Sequence, residues 1–140
     1  MAESRREAVA AAAGDQPLEL ILARNLVTII SLAAFLFDAE GRLVFYNDAA
    51  AEFIGRQFEE VGVLTREQVQ AELGPLDRRG RDLPPDQVPS TIALEERRPA
   101  YSRFYIHADR GLMQIEAGAL PLIGPSGLHG AMVVFWAPEE

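Results

Sequence analysis

The chain has 140 residues, 49% of them hydrophobic and 24% charged, with a net charge of −8. That is the length and make-up of one globular domain, and the acidic balance argues against a nucleic-acid-binding surface, which needs a basic stripe. The absence of cysteine excludes disulfides, thiolate metal sites, iron–sulfur clusters and thiol catalysis, while the all-arginine set of basic residues reads as genome composition before function.

Residues 1–14 are Ala-rich and charged, so 1–16 reads as a frayed or disordered tail ahead of a single domain over 17–138. Asp15-Gln16-Pro17 starts a helix that runs to about Ser31, with Pro tolerated in the first turn. Leu18, Leu22, Ile29 and Leu32 follow a 3–4 repeat with Asn25 in the fifth place. Leu20, Ile21, Leu26, Val27 and Ile30 widen that stripe beyond what one side of a solvated helix carries. Residues 18–37 are long enough to span a membrane, yet Glu19, Arg24 and Asn25 interrupt them. Each central charge costs roughly 2.5–3.5 kcal/mol on insertion. Glu7, Asp15 and Pro17 likewise break a signal-peptide pattern, so the expectation is a cytoplasmic chain with no membrane partner.

The stretch 34–55, AFLFDAEGRLVFYNDAAAEFIG, carries the strongest pattern. Phe35 to Phe37 form a strand, Glu40-Gly41 a tight turn, and Leu43 to Tyr46 a second strand. Asn47 or Asp48 then caps a short helix that Gly55 ends. Residues 56–83 are poorly patterned apart from a short helix over Arg66–Leu73 and breakers at Gly74-Pro75 and Arg79-Gly80. Pro84-Pro85 opens a helical region and Pro89 restarts it, with Val88 and Ile92 on one face and an end near Arg98-Pro99.

The last third reads as a three-strand meander. From Tyr101 to Ala108, Ser102, Phe104 and Ile106 alternate with Tyr101, Arg103, Tyr105 and His107. Asp109-Arg110-Gly111 connects to a strand over Leu112–Leu122, and the loop 123–127 to a final strand over 129–137. Strands one, two and five are apolar on both faces, so the sheet needs two covers. The middle helices supply one. The N-terminal helix, its own or a neighbour's, supplies the other. The fold class is α+β: a five-stranded antiparallel sheet, a helical insert between strands two and three, and an N-terminal flanking helix over 17–31 beside a core over 33–137.

The order of these elements and the Asn after the second strand resemble the PAS domain family over residues 17–137. GPLDRRGRDLPPDQVPSTIALEERRPA, 74–100, is similar to the family's turn and pocket-wall helix, and AGALPLIGPSGLHGAMVVFW, 117–136, to its closing hairpin. The end departs from the family, which often runs from Asp-Ile-Thr into a coiled signalling helix; here Pro138 cannot extend the ladder. The resemblance implies a sensory or regulatory module of intracellular signalling, not an enzyme. With no kinase, cyclase or DNA-binding element in these residues, output through an effector protein in trans is expected, and no nucleic acid. Without cysteine, the photochemistry of the LOV branch and the thioester chromophore of photoactive yellow protein are excluded.

A pocket is expected between sheet and helices, with Phe37, Phe45, Phe53, Val88, Ile92, Phe104, Tyr105, Ile115, Val133 and Phe135 as binding residues. Arg103 or Tyr105 at its rim would hold a carboxylate. Such a lining favours a fatty acid or other small hydrophobic molecule. Haem is not expected: the family's haem histidines lie on the helix before the third strand, 84–98 contains none, and His107 and His129 lie elsewhere. A flavin would need a polar Asn/Gln set, and no metal site is expected. A filled core serving only protein association is the alternative. A small cone-fold isomerase or hydrolase is a further one, disfavoured because Glu116 and Gln114 have no acid–base partner. A homodimer is expected through the N-terminal helix, by Leu18, Leu22, Asn25, Leu26 and Ile29, with Asn25 fixing register against its symmetry mate.

Overall fold

The computed structural model describes residues 17–108 and 111–138; the tail expected over 1–16 and Asp109-Arg110 of the hairpin connection lie outside the described residues. Helix α1, Leu18–Ile29, follows Pro17 and stops two residues before the expected Ser31, because Ile30 already takes an extended conformation at φ −84° and ψ 151°. Strands β1, Ala33–Asp38, and β2, Leu43–Tyr46, flank a turn held by the Asp38 side chain. Its Oδ1 accepts from the backbone N–H groups of Glu40 and Arg42, and its Oδ2 from Arg42 Nε at 2.6 Å. Helix α2, Asp48–Ile54, is capped by Asn47 and ends at Gly55, whose φ of 85° suits glycine.

A one-turn helix α3, Phe58–Val61, has no counterpart in the sequence pattern, since four residues show no helical period. It is seated by Phe58, whose ring meets Phe45 and Tyr46 edge-on at 5.4 Å each. Helix α4, Arg66–Leu73, has the expected bounds and a reciprocal cap between Thr65 and Gln68. A 3-10 turn at Pro85–Gln87 precedes helix α5, Pro89–Glu96. Strands β3, Ala100–Ala108, β4, Gly111–Gly124, and β5, Gly127–Trp136, complete the sheet. The expected loop over 123–127 is tighter than that, with Gly124 facing Gly127 across Pro125 and Ser126.

The five strands form one antiparallel sheet in the order β2-β1-β5-β4-β3. Paired residues share a face, so Phe35, Phe37, Val133, Phe135, Ile115, Ala117 and Phe104 lie on an inner face beneath the helical insert. α1 crosses the outer face against β1, β5 and β4, burying Leu20, Ala23 and Val27. Both covers expected for the sheet are thus present in one chain. Each fully buried Phe or Leu contributes roughly 1.5–3 kcal/mol, which makes the two layers the main source of stability. No helix among the described residues is long and apolar enough to cross a membrane.

Candidate functional site

Sheet and insert do not meet everywhere. Between them lies an apolar cavity of about 60 Å³, floored by Phe35, Phe37, Phe104, Ile115, Val133 and Phe135. Ile54, Val69, Leu73, Val88 and Pro89 form the roof, and Ser90 and His107 are the polar residues of the lining. Beside the cavity the rings are in contact: Phe35 and Phe135 tilt against each other at 4.9 Å, and Phe53 meets Phe135 edge-on at 5.2 Å. A wider groove shares Phe37, Val69, Val88 and Ser90 with the cavity and carries Arg66, Glu67, Asp82 and Thr91.

Six of the ten residues expected to bind a ligand line this space: Phe37, Val88, Phe104, Ile115, Val133 and Phe135. Phe45 does not. β2 bulges at Val44, so Leu43 faces inward Phe37 while Phe45 pairs with outward Leu36. The ring turns to the α1 side, where the Arg24 guanidinium sits 4.3 Å from its centroid. Burial lowers the Arg24 pKa there, partly offset by Glu59. Phe53 lies behind Phe135, and Ile92 is buried within the α5 packing; neither reaches the lining. Tyr105 pairs with Gln114 and Arg103 with Glu116 on the outer face, so neither can hold a carboxylate at the cavity rim. Val69 and Leu73 of α4 also line the cavity without being among the expected residues, although their i,i+4 spacing carries the signal.

The outer face is ordered by hydrogen bonds. Glu116 accepts from Tyr101 Oη, from Arg103 Nη2 at 2.9 Å and from Trp136 Nε1 at 2.8 Å. These three donors, Tyr101 first, hold its pKa down at about 2. A carboxylate so held is a poor general base, and it faces away from the cavity. Nearby, the Tyr101 and Trp136 rings stack at 6.3 Å.

Asn47 joins the layers. Its Oδ1 accepts from the N–H groups of Ala34 and Ala50, and its Nδ2 donates to the carbonyls of Val27 and Leu32. All four hydrogen bonds of this buried amide are made, tying the end of α1, the start of β1 and the first turn of α2. On the other side of α1, Leu18, Leu22, Leu26 and Ile29 stand 64%, 57%, 47% and 80% exposed, beside exposed Asn25. The five residues expected at an interface therefore share the outward side of the helix.

No family model matches the chain, and no curated protein matches its sequence. Solved structures do match its shape. The PAS domain of BvgS from Bordetella pertussis superposes with a TM-score of 0.60 at 19% identity, covering 87% of each chain. A PAS domain from Colwellia psychrerythraea gives 0.60 at 17% identity over 84% of this chain and 97% of that one. The PAS domain of nitrogen regulation protein NR(II) from Vibrio parahaemolyticus gives 0.57 at 12% identity, over 84% and 98%. The strand order, the helical insert and the helix across the outer face, seen together with these superpositions, identify the fold of this chain as the PAS fold.

Proposed function

We propose that the chain is a sensory or regulatory PAS module of cytoplasmic signalling, not an enzyme, and that it works as a homodimer joined through α1. The observation that carries this reading is the outward side of α1. Leu18, Ile21, Leu22, Leu26 and Ile29 are exposed on a helix whose other side is latched to the core by Asn47. An apolar face of this extent on a fixed helix marks an association surface. Similar structures include PAS domains of BvgS and of a nitrogen regulation protein, which fits a regulatory role. Light scattering tests the dimer: the wild type should have twice the chain mass, and Leu22→Glu with Ile29→Glu should be monomeric and folded. A wild-type monomer at high concentration contradicts it.

The apolar cavity favours a second role for the same module, the binding of a small hydrophobic ligand. An engineered protein cavity of about 150 Å³ takes up benzene, so about 60 Å³ suits a small apolar group. A fatty acid would require Phe37, Val69 and Leu73 to move apart. Native mass spectrometry of protein made in cells checks this: a ligand lost in Val88→Trp supports it, and bare chain mass favours pure association.

A further inference from the structure

β3 is an edge of the sheet, with β4 as its one neighbouring strand. Successive residues of an antiparallel strand turn their N–H and C=O groups to opposite sides. Tyr105 turns its groups outward: its N–H donates to the Leu76 carbonyl at 2.9 Å, and its C=O accepts from the Leu76 N–H at 2.7 Å. The β3–β4 ladder runs from Ala100 to Ala108 without a register shift, so Arg103 and Tyr101 also turn outward. The segment covering the edge leaves it after Leu76, where the Asp77 N–H bonds the Arg81 carbonyl and the chain reverses. No hydrogen bond among the described residues reaches the outward groups of Tyr101 and Arg103. Such an open edge is the arrangement onto which a further strand adds.

The flanks of this stretch are basic, in a chain of net charge −8. Arg78 and Arg79 lie in the turn after Leu76, and Arg97 and Arg98 lead through Pro99 into β3, all four exposed. The acids beside them are already engaged: Asp77 by Arg81, Glu96 by Arg98 and Glu95 by Arg66. Asp82 lines the groove beside the cavity. Arg78, Arg79 and Arg97 make no ion pair among the described residues. On the outer face, Tyr101 is 60% exposed and its ring stacks with Trp136, a platform for an apolar side chain.

We propose that the Tyr101–Arg103 edge of β3 is a docking site for an acidic, extended segment of a partner protein, which adds to the sheet as a short sixth strand. Main-chain hydrogen bonds to Tyr101 and Arg103 supply the attachment. Arg78 and Arg79 at one end and Arg97 at the other select carboxylates and repel a basic segment. The Arg103 side chain takes no part, since Glu116 holds it at 2.9 Å. A second copy is a poor occupant: pairing two β3 edges would set the arginines of both chains against each other, and like charges across a strand pair are destabilising. α1 packs against β1, β5 and β4, so the site does not depend on whether α1 joins two chains.

The probe is a fluorescent peptide of alternating Glu and Val, about six residues long, titrated into the full chain and followed by anisotropy. It should bind, and it should slow amide hydrogen exchange at Tyr101 and Arg103. Arg78→Glu with Arg79→Glu should weaken it about three- to tenfold. Methylating the backbone nitrogens of all its Glu residues, or of all its Val residues, removes the donors from one side of the strand or the other. One of these two peptides should lose about tenfold in affinity and the other should keep it. Absence of binding, slowed exchange confined to other residues, equal affinity of the two methylated peptides, or an Arg–Val peptide that binds as tightly overturns the proposal. So does slowed exchange at Tyr101 and Arg103 that grows with protein concentration alone, which would make the occupant a second copy.

Discussion

The two faces of the sheet are built by different physics. The inner face is held by rings that meet edge-on and at a tilt, and it keeps unfilled space. The outer face adds directional hydrogen bonds to the apolar seat of α1: Asn47, which reaches the end of α1 from the cap of α2, Glu116 between β3, β4 and β5, and Asp38 in the β1–β2 turn. Apolar contacts are non-directional and tolerate small shifts, whereas buried hydrogen bonds are lost outright when one partner goes. Substitutions outside should therefore act as switches, and substitutions inside should act in proportion to volume.

The largest effect should come from Asn47→Ala. Two donors and two acceptors lose their partners at once, an expected cost of about 4 kcal/mol in urea denaturation. A loss under about 1 kcal/mol would mean that water replaces the amide and that the layers are not joined there.

The Asp-x-x-Gly-Arg turn occurs twice, which sharpens the contrast within one motif. Asp38 and Asp77 each accept two backbone N–H groups and the guanidine of the arginine four residues on. The Asp38 side chain is 10% exposed and that of Asp77 34% exposed. Asp38→Ala should therefore cost about 1–2 kcal/mol, and Asp77→Ala visibly less, in the same denaturation assay. Equal losses would show that burial does not set the difference.

Glu116 adds a pH signature. A carboxyl held at about 2 when folded, against an ordinary 4.5, contributes stability that is full above its unfolded range and lost as pH falls toward 2. The melting temperature of the wild type should drop between pH 5 and pH 2, and that drop should be shallower in Glu116→Gln. Parallel curves would remove Glu116 from the account. The smallest effect belongs to the inner face. Val133→Ile adds one methylene to a lining with room for it, and should change stability by less than about 1 kcal/mol, with gain as the expected sign. A loss above that value would mean the cavity is not open to side chains.

Much of this contrast is legible in the amino-acid sequence. Alternation along Phe104-Tyr105-Ile106 and Met113-Gln114-Ile115 separates the faces of β3 and β4, and the Asn47 cap and the α4 bounds follow from local chemistry. Two departures share one cause. A bulge shifts the period by one residue, and in a strand apolar on both faces nothing in the sequence marks the shift. Val44 in β2 thus turns Phe45 away from the cavity, and the bulge at His129 in β5, where Leu122 faces Gly130 and Ile123 faces Leu128, looks in sequence like ordinary strand beside a turn. The rim roles expected of Arg103 and Tyr105 fail differently. The alternation already sets them opposite Phe104, and only the topology shows that the insert covers the Phe104 side.

The dimer proposed above has α1 joining two chains along its outward apolar side. Because the chain has no cysteine, a single Thr28→Cys, at an exposed position outside the apolar row, accepts one spin label per chain. Packed helix axes lie about 8–10 Å apart, so double electron–electron resonance should show one narrow interchain distance near 20–25 Å, roughly that spacing plus the reach of two labels. The absence of an interchain signal, or a distance beyond about 40 Å, more than the width of a small domain, would contradict the claim.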